Sequence, residues 1–124
     1  MPEKAKVFLV EDARELMVMA EIELEEHGHA VPVKARTLKH ALKLVPRLRN
    51  FDVSVAVLDG NLSEDDATGE DGRQIANAIR EQHPDIKIIE WSFSHSPYGW
   101  GDGVADKSSI GSRIPALALA VTEA

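Results

Sequence analysis

The chain has 124 residues, the length of one compact domain, and its 44% hydrophobic and 28% charged residues are typical of a globular protein rather than a disordered or membrane-spanning one. Its formal net charge of −7 argues against binding to nucleic acid or to an anionic membrane, and favours a metal cation or a basic protein surface as partner. The absence of cysteine excludes disulfides, thiolate catalysis and cysteine-ligated zinc.

The sequence has no apolar run long enough to span a bilayer, and the charged start MPEKAK is not followed by a signal-type apolar stretch. We find no internal repeat and no low-complexity segment. We therefore expect a cytoplasmic protein in which residues 1–124 form a single domain.

The first part of the chain alternates strand and helix patterns. Ala5–Val10 is an apolar run typical of a buried strand, and apolar residues at helical spacing predict a helix over about Asp12–Glu26. Ala30–Lys34 predicts a second strand. Thr37 is placed to cap a second helix, which Pro46 should end or kink.

The middle of the chain repeats this alternation. Asp52–Leu58 is rich in β-branched residues and predicts a third strand, followed by an acidic loop from about Gly60 to Glu70. A third helix, with apolar residues on one face, should stop near Pro84, and Ile86–Trp91 predicts a fourth strand.

The last part of the chain begins with a loop rich in glycine, serine and aromatic residues, Ser92–Gly103. Val104–Asp106 predicts a short fifth strand and Ile110–Val121 a final helix, in which Pro115 is tolerable only in the first turn. Such alternation predicts a parallel sheet with helices on both faces. Ligands of these folds bind at the carboxyl ends of the strands.

Polar side chains follow four of the five predicted strands. Glu11 and Asp12 follow the first strand, Asp59 the third, Ser92 the fourth and Lys107 the fifth. If these side chains converge, three carboxylates repel one another unless a hard divalent cation joins them, and Mg²⁺ suits a site of few carboxylates with water and phosphate oxygens. The ammonium and hydroxyl groups would face a tetrahedral anion, so the set supports phosphoryl transfer to a carboxylate.

The sequence resembles a response-regulator receiver domain over nearly its whole length. VFLVEDARELM is similar to that family's first strand and acidic pair, and VAVLDGNL to the strand that carries the phosphoacceptor. DGRQIANAIREQHPDIKIIEWS resembles the third helix and the fourth strand, which ends in the family's Ser or Thr, and VADKS resembles the end of the fifth strand with its lysine. The resemblance implies a doubly wound, flavodoxin-like α/β fold with strand order 2-1-3-4-5. The short stretch between the fourth and fifth strands implies that the fourth helix is short or missing.

The resemblance also implies a metal site. Glu11 and Asp12 would hold Mg²⁺, with Asp12 the more direct ligand. Asp59 would be both a Mg²⁺ ligand and the phosphoacceptor, and Asn61 would give its backbone carbonyl to the metal.

The remaining implied roles belong to phosphoryl binding and signalling. Ser92 would donate to a phosphoryl oxygen, and Lys107 would pair with Asp59 and then with the phosphoryl group. The donor would be a sensor histidine kinase or a phosphotransfer protein, and the signal would leave by contact with a downstream protein, with a homodimer possible and with no enzyme activity beyond self-phosphorylation and autodephosphorylation. We expect the pocket to be mostly solvated, so the fold should survive loss of Lys107.

Four departures from the family pattern leave an alternative open. The loop after Asp59 is longer than usual and lacks a proline, and Phe93 stands where a small residue is usual. Ser108 replaces the proline after the lysine, and Val104 replaces a switching Tyr or Phe. The chain is therefore either a phosphoryl-accepting switch or a degenerate receiver that binds proteins without phosphorylation.

Other interpretations of the same residues also stay open. The acidic loop matches a calcium-binding loop at Asp59, Asn61, Ser63, Asp65 and Glu70. That motif needs glycine where Glu64 stands, and it follows a helix rather than a strand. A small metal-dependent phosphatase would need a general acid that the sequence does not offer. Glu11 and Asp12 taken alone could simply cap the first helix.

Overall fold

Five strands and four α-helices alternate along the residues that the computed structural model describes, 5–59, 70–92, 99–107 and 115–124. In chain order they are β1 (Lys6–Val10), α1 (Arg14–Glu26), β2 (Ala30–Ala35), α2 (Leu38–Leu44), a 3₁₀-helix (Val45–Phe51), β3 (Val55–Asp59), α3 (Glu70–Gln82), β4 (Lys87–Ser92), β5 (Gly103–Asp106) and α4 (Pro115–Glu123). Within these ranges, no helix combines the length and the apolar character needed to cross a bilayer.

The strands form one sheet in the order β2-β1-β3-β4-β5, and all four pairings are parallel. This confirms the predicted doubly wound α/β fold. Asp59 pairs with Trp91, and Ser92 pairs with Asp106, so the carboxyl ends of β3, β4 and β5 are in register. The predicted site residues therefore start from one edge of the sheet.

Both faces of the sheet are buried, as expected for a parallel sheet with helices on each side. Alternate strand residues pack on opposite faces because successive side chains of a strand point in opposite directions. Phe8 and Leu58 pack on the face covered by α2, the 3₁₀-helix and α3. Leu9, Val57 and Trp91 pack on the face covered by α1 and α4.

The ends of α1 and α2 are fixed by local hydrogen bonds. Gly28 has φ +89° and donates its N–H to the carbonyl of Glu25, and His29 donates to that of Leu24, which is the pattern of a glycine-ended helix. The hydroxyl of Thr37 accepts the N–H of His40 at 3.1 Å, which confirms the predicted cap.

The boundaries of two predicted elements differ from the structure. The α-helical part of the second helix ends at Leu44, before Pro46, but the chain continues as a 3₁₀-helix that contains this proline. Asp52 ends the 3₁₀-helix with φ +57°, so the predicted strand Asp52–Leu58 was wrong at its start, and β3 begins at Val55. The β-branched run was visible in the sequence, but the left-handed backbone conformation of Asp52 before it was not.

The last helix begins at Pro115, the first-turn position that the sequence required. The predicted start at Ile110 falls outside the described residues.

The connection from β4 to β5 contains no helix in its described part, residues 99–102. Trp100 packs instead into the core on the α3 face of the sheet and is 8% exposed. The buried carboxylate of Glu90 accepts the N–H groups of Gly99 at 3.1 Å and Gly101 at 3.4 Å, which holds the turn around Trp100. The described part of this connection is therefore a loop that carries a buried aromatic residue, and residues 93–98, where the rest of the predicted short or missing helix would fall, lie outside the described residues.

Gly72 in α3 is a close-contact position. A Cβ there would lie 2.7 Å from a ring carbon of Trp100 and 2.8 Å from the carbonyl oxygen of Asp59. We expect Gly72→Ala to lower the free energy of unfolding by about 1–3 kcal/mol, because one of the neighbours is backbone and cannot move alone. Denaturant unfolding measures this. Gly103→Ala is the matched control, since its new Cβ meets only the flexible end of Ile89, and an equal loss in both would contradict the assignment.

Candidate functional site

Three carboxylates meet at the carboxyl edge of the sheet. Glu11 and Asp12 follow β1, and Asp59 is the last residue of β3. Each offers an oxygen atom, and these oxygens lie within 4.8 Å of one another. The structure thus brings together the three residues that the sequence predicted as metal ligands.

Lys107 completes this cluster from the end of β5. Its ammonium nitrogen lies 2.8 Å from Oδ1 of Asp59 and forms a second ion pair with Oε1 of Glu11. Its backbone N–H donates to the carbonyl of Ser92 at 3.0 Å, which fixes the lysine beside the end of β4. Glu11, Asp12, Asp59 and Lys107 are called the acidic–lysine cluster below.

Three of the four residues of the cluster are buried. Glu11, Asp59 and Lys107 are 1%, 3% and 5% exposed, and Asp12 is the exposed member. The expectation of a mostly solvated pocket was therefore wrong. Ion pairs in such a setting interact more strongly than at a surface, and breaking one leaves a charge without water around it.

Backbone contacts fix the two acidic residues after β1. The N–H of Glu11 donates to the carbonyl of Ala35, and its Oε2 accepts the N–H of Ala13 at 2.9 Å at the start of α1. The guanidinium of Arg36 donates to the carbonyl oxygen of Asp12 at 3.0 and 3.3 Å. Glu11 therefore has a helix-start contact as well as a place in the cluster, and Arg36 is a support that the sequence pattern did not indicate.

The electrostatics of the cluster separate its two neighbouring acids. Burial, a hydrogen bond to Asp12 and the nearby charge of Asp59 raise the pKa of Glu11 to about 8. Burial acts to raise the pKa of Asp12 as well, but its side-chain interactions with Glu11 and Asp59 and the charge of Lys107 outweigh it, so this pKa lies below its usual range. In the absence of a metal, the carboxyl of Glu11 therefore holds its proton to higher pH than that of Asp12.

This shift predicts a pH dependence of stability. Between the usual value of 4.5 and about 8, the folded state binds the Glu11 proton and the unfolded chain does not. The stabilising contribution of the Glu11 proton to the folded state is fully present below pH 4.5 and is lost as the pH rises through about 8. We expect the free energy of unfolding in metal-free buffer to fall by about 2–4 kcal/mol across this window.

Denaturant unfolding of wild type and Glu11→Gln measures this dependence. The Gln variant should have a flatter profile, because the side chain no longer titrates. A wild-type profile that rises over the same pH range would contradict the assignment to Glu11.

Trp91 and Ser92, the last two residues of β4, lie next to Lys107 of the acidic–lysine cluster. Ser92 is 7% exposed, and its Cα is paired with that of Asp106 in the sheet. The ring centroid of fully buried Trp91 lies 5.0 Å from the Lys107 ammonium nitrogen. Sequence reasoning placed Trp91 at the end of the fourth strand without a role in the site, although its position directly before Ser92 was a usable signal.

Several predicted features fall outside the described residues: Asn61, Phe93, Ser108 and the acidic loop. The calcium-loop pattern begins at Asp59, which ends a strand, whereas the motif follows a helix. Val104, where the resemblance implied a switching Tyr or Phe, is 46% exposed in β5.

The donor set of the cluster fits a hard divalent cation. Three carboxylates stand against one ammonium group, so full ionisation leaves an excess of negative charge. Oε1 of Glu11 contacts the Lys107 ammonium, and a carboxylate oxygen in an ion pair keeps a second lone pair that can bind a cation. Oxygen donors at this spacing suit Mg²⁺ or Ca²⁺ rather than a soft metal.

The comparison with solved structures identifies the fold. The chain matches the signal receiver domain of the response regulator NarL from Mycobacterium tuberculosis with a TM-score of 0.75 and 22% identity, over 98% of this chain and 96% of that one. It matches a LuxR-family two-component response regulator from Aurantimonas sp. SI85-9A1 with a TM-score of 0.69 and 19% identity, over 98% and 97%.

A third match is the signal receiver domain of a modulated diguanylate cyclase from Desulfovibrio desulfuricans G20, with a TM-score of 0.69 and 20% identity, over 98% and 96%. No protein-family model and no curated protein matches the sequence. The chain has the receiver-domain fold.

Proposed function

We propose that this protein is a phosphoryl-accepting signalling switch in which Asp59 is the acceptor. The observation that carries the proposal is the placement of Asp59. Asp59 is the last residue of the central strand β3. Its carboxylate lies 2.8 Å from the Lys107 ammonium nitrogen and next to the carboxylates of Glu11 and Asp12. The receiver-domain fold supports this assignment.

The proposed metal is Mg²⁺, held by Glu11, Asp12 and Asp59, with the backbone carbonyl of Asn61 as a further ligand. When bound, Mg²⁺ neutralises charge on the phosphoryl oxygens. Asp12 is the exposed member of the set and is the natural point of entry from solvent. The Arg36 contacts hold the backbone of Asp12 while its side chain stays available.

The transfer step exchanges one bond for another. An oxygen of Asp59 bonds to phosphorus as the bond to the histidine nitrogen of the donor breaks, and that nitrogen leaves with the electron pair. Lys107 leaves its pairing with the carboxylate and pairs with the new phosphoryl group, and Ser92 donates its hydroxyl to a phosphoryl oxygen. A carboxylate is a weak nucleophile, so alignment and charge compensation carry this step.

The proposed partners follow from this chemistry. A sensor histidine kinase or a phosphotransfer protein supplies the phosphoryl group in the cytoplasm, and a downstream protein, or a second copy of the chain, responds to the changed surface. The proposed protein is a switch rather than an enzyme, with self-phosphorylation and autodephosphorylation as its only chemistry. With a net charge of −7, neither nucleic acid nor membrane is a proposed partner.

The second candidate function is a degenerate receiver, a binding module that takes no phosphate. The burial of the cluster favours it, because Asp59 is only 3% exposed and is already paired with Lys107. Phe93, which follows β4, is the residue in this sequence that could further limit access.

Intact mass of the wild-type protein tests the proposal, after incubation with Mg²⁺ and either a small phosphodonor or a histidine kinase. A gain of one phosphoryl group supports the switch. No gain from either donor, together with a gain in Phe93→Ala, supports the degenerate receiver. Steady turnover of a phosphate ester would instead indicate a phosphatase.

A further inference from the structure

The side chain of Lys107 has to cross a strand to reach Asp59. Lys107 follows β5, and Asp59 ends β3, with β4 between them in the sheet. Asp59, Trp91 and Ala105 are successive Cα partners across these three strands. Trp91 is thus the residue of β4 that lies between the acceptor and the strand that leads to the lysine.

The alternation of side chains places these groups on one face of the sheet. Trp91 and Ala105 pack on the α1 and α4 face, and Lys107 is two residues beyond Ala105. The ammonium nitrogen lies 5.0 Å from the Trp91 ring centroid and 2.8 Å from the acceptor oxygen. The aromatic face and the carboxylate therefore contact the same ammonium group.

We propose that Trp91 is a positioning residue, whose indole face supports the Lys107 ammonium over β4 and directs it at Asp59. The consequence for phosphoryl transfer rests on the proposed function, whereas the contact itself does not. An aromatic face attracts a cation most strongly where water is excluded, and Trp91 and Lys107 are 0% and 5% exposed. Trp is also the aromatic residue with the strongest attraction for a cation.

The ring offers the ammonium group a contact that requires no hydrogen bond. When a metal or a phosphoryl group takes over the carboxylate oxygens, Lys107 keeps a favourable neighbour while it changes partner. An aliphatic side chain of similar size would fill the space without attracting the charge. Only the π face distinguishes the proposed role from ordinary packing.

Two substitutions of Trp91 distinguish the effect of its aromatic face from the effect of its size. Trp91→Phe keeps an aromatic face and Trp91→Leu removes it, while both leave a smaller apolar side chain. Under conditions in which every variant is folded, we expect Trp91→Leu to lower the maximal rate of phosphoryl uptake at saturating Mg²⁺ by about 3- to 30-fold, and Trp91→Phe by less than about 3-fold. Phe8→Leu, at a fully buried aromatic on the opposite face, should lower stability but not the rate.

A double-mutant cycle on stability tests the contact without any phosphoryl chemistry. Trp91→Leu, Lys107→Ala and the double variant are compared by their unfolding midpoints in denaturant. We expect the double variant to be more stable than the sum of the single effects predicts, because either single change already removes the contact. Additive effects, or equal rates for Trp91→Phe and Trp91→Leu, would overturn the proposal. If wild type takes up no phosphoryl group, the proposed function fails, and the role of Trp91 is decided by the same cycle run with Trp91→Phe, which should give a smaller coupling energy than Trp91→Leu because it keeps an aromatic face.

Discussion

Wild-type protein should gain one phosphoryl group in the presence of Mg²⁺ and a phosphodonor, and Asp59→Asn should gain none. Asparagine keeps the shape of the side chain and removes the nucleophilic oxygen. The substitution leaves Glu11 and Asp12 in place, but neither ends the central strand. Intact-mass spectrometry reads the result directly, and the expected difference is complete within detection.

Two further variants give this experiment its controls. Asp85→Asn changes an exposed carboxylate before β4, at the opposite end of the sheet from the cluster, and should phosphorylate like wild type. Asp12→Asn keeps the acceptor but removes a proposed ligand, so it should need more Mg²⁺ to reach the same rate. Phosphorylation of Asp59→Asn at the wild-type rate would place the acceptor elsewhere.

The sequence was sufficient to predict which residues share the site. In a parallel sheet, the residue after each strand falls on the same edge whatever the details of packing, so Glu11, Asp59 and Lys107 could be grouped before their distances were known. The same local reasoning predicted the Thr37 cap. These features depend on a few neighbouring residues or on topology alone.

The sequence was insufficient where the answer depends on contacts between distant segments. Lys107 is buried because strands and helices from distant parts of the chain surround it. In the sequence, a lysine after a short strand looks like an ordinary surface residue, so its burial could not be predicted. The role of Trp91 depends on the register of three strands. Once that register is known, side-chain alternation is enough to place the ring under the lysine.

Glu90 is an instructive intermediate case. A charged residue inside the apolar run IKIIEW was a visible anomaly in the sequence, because buried carboxylates require hydrogen-bond donors. Its donors are the N–H groups of Gly99 and Gly101, in a glycine-rich stretch that the sequence assigned only as loop. The anomaly could have been noticed, but its partners could be found only in the fold.

Removal of Lys107 should destabilise the protein without unfolding it. The lysine is the one cation in contact with the buried carboxylates of Glu11 and Asp59 among the described residues, and both acids are almost fully covered. We expect Lys107→Ala to lower the free energy of unfolding by about 3 kcal/mol near neutral pH in metal-free buffer. Lys39→Ala, at an exposed lysine of α2, should change it by less than about 0.5 kcal/mol.

The loss of unfolding free energy in Lys107→Ala should depend on pH and on the Mg²⁺ concentration. Without the ammonium group, protonation of Glu11 is the remaining way to reduce repulsion in the cluster, so the deficit should shrink at low pH and grow as the pH rises through about 8. Mg²⁺ should restore more stability to Lys107→Ala than to wild type, because the metal supplies a missing positive charge in the variant, whereas in wild type the charge of Lys107 already offsets part of the negative charge of the cluster and repels the metal. Denaturant unfolding at low and high pH, with and without Mg²⁺, measures both effects. Equal gains from Mg²⁺ in the two proteins would mean that the charge of Lys107 does not affect metal binding, and the assignment of the metal to this cluster would fail.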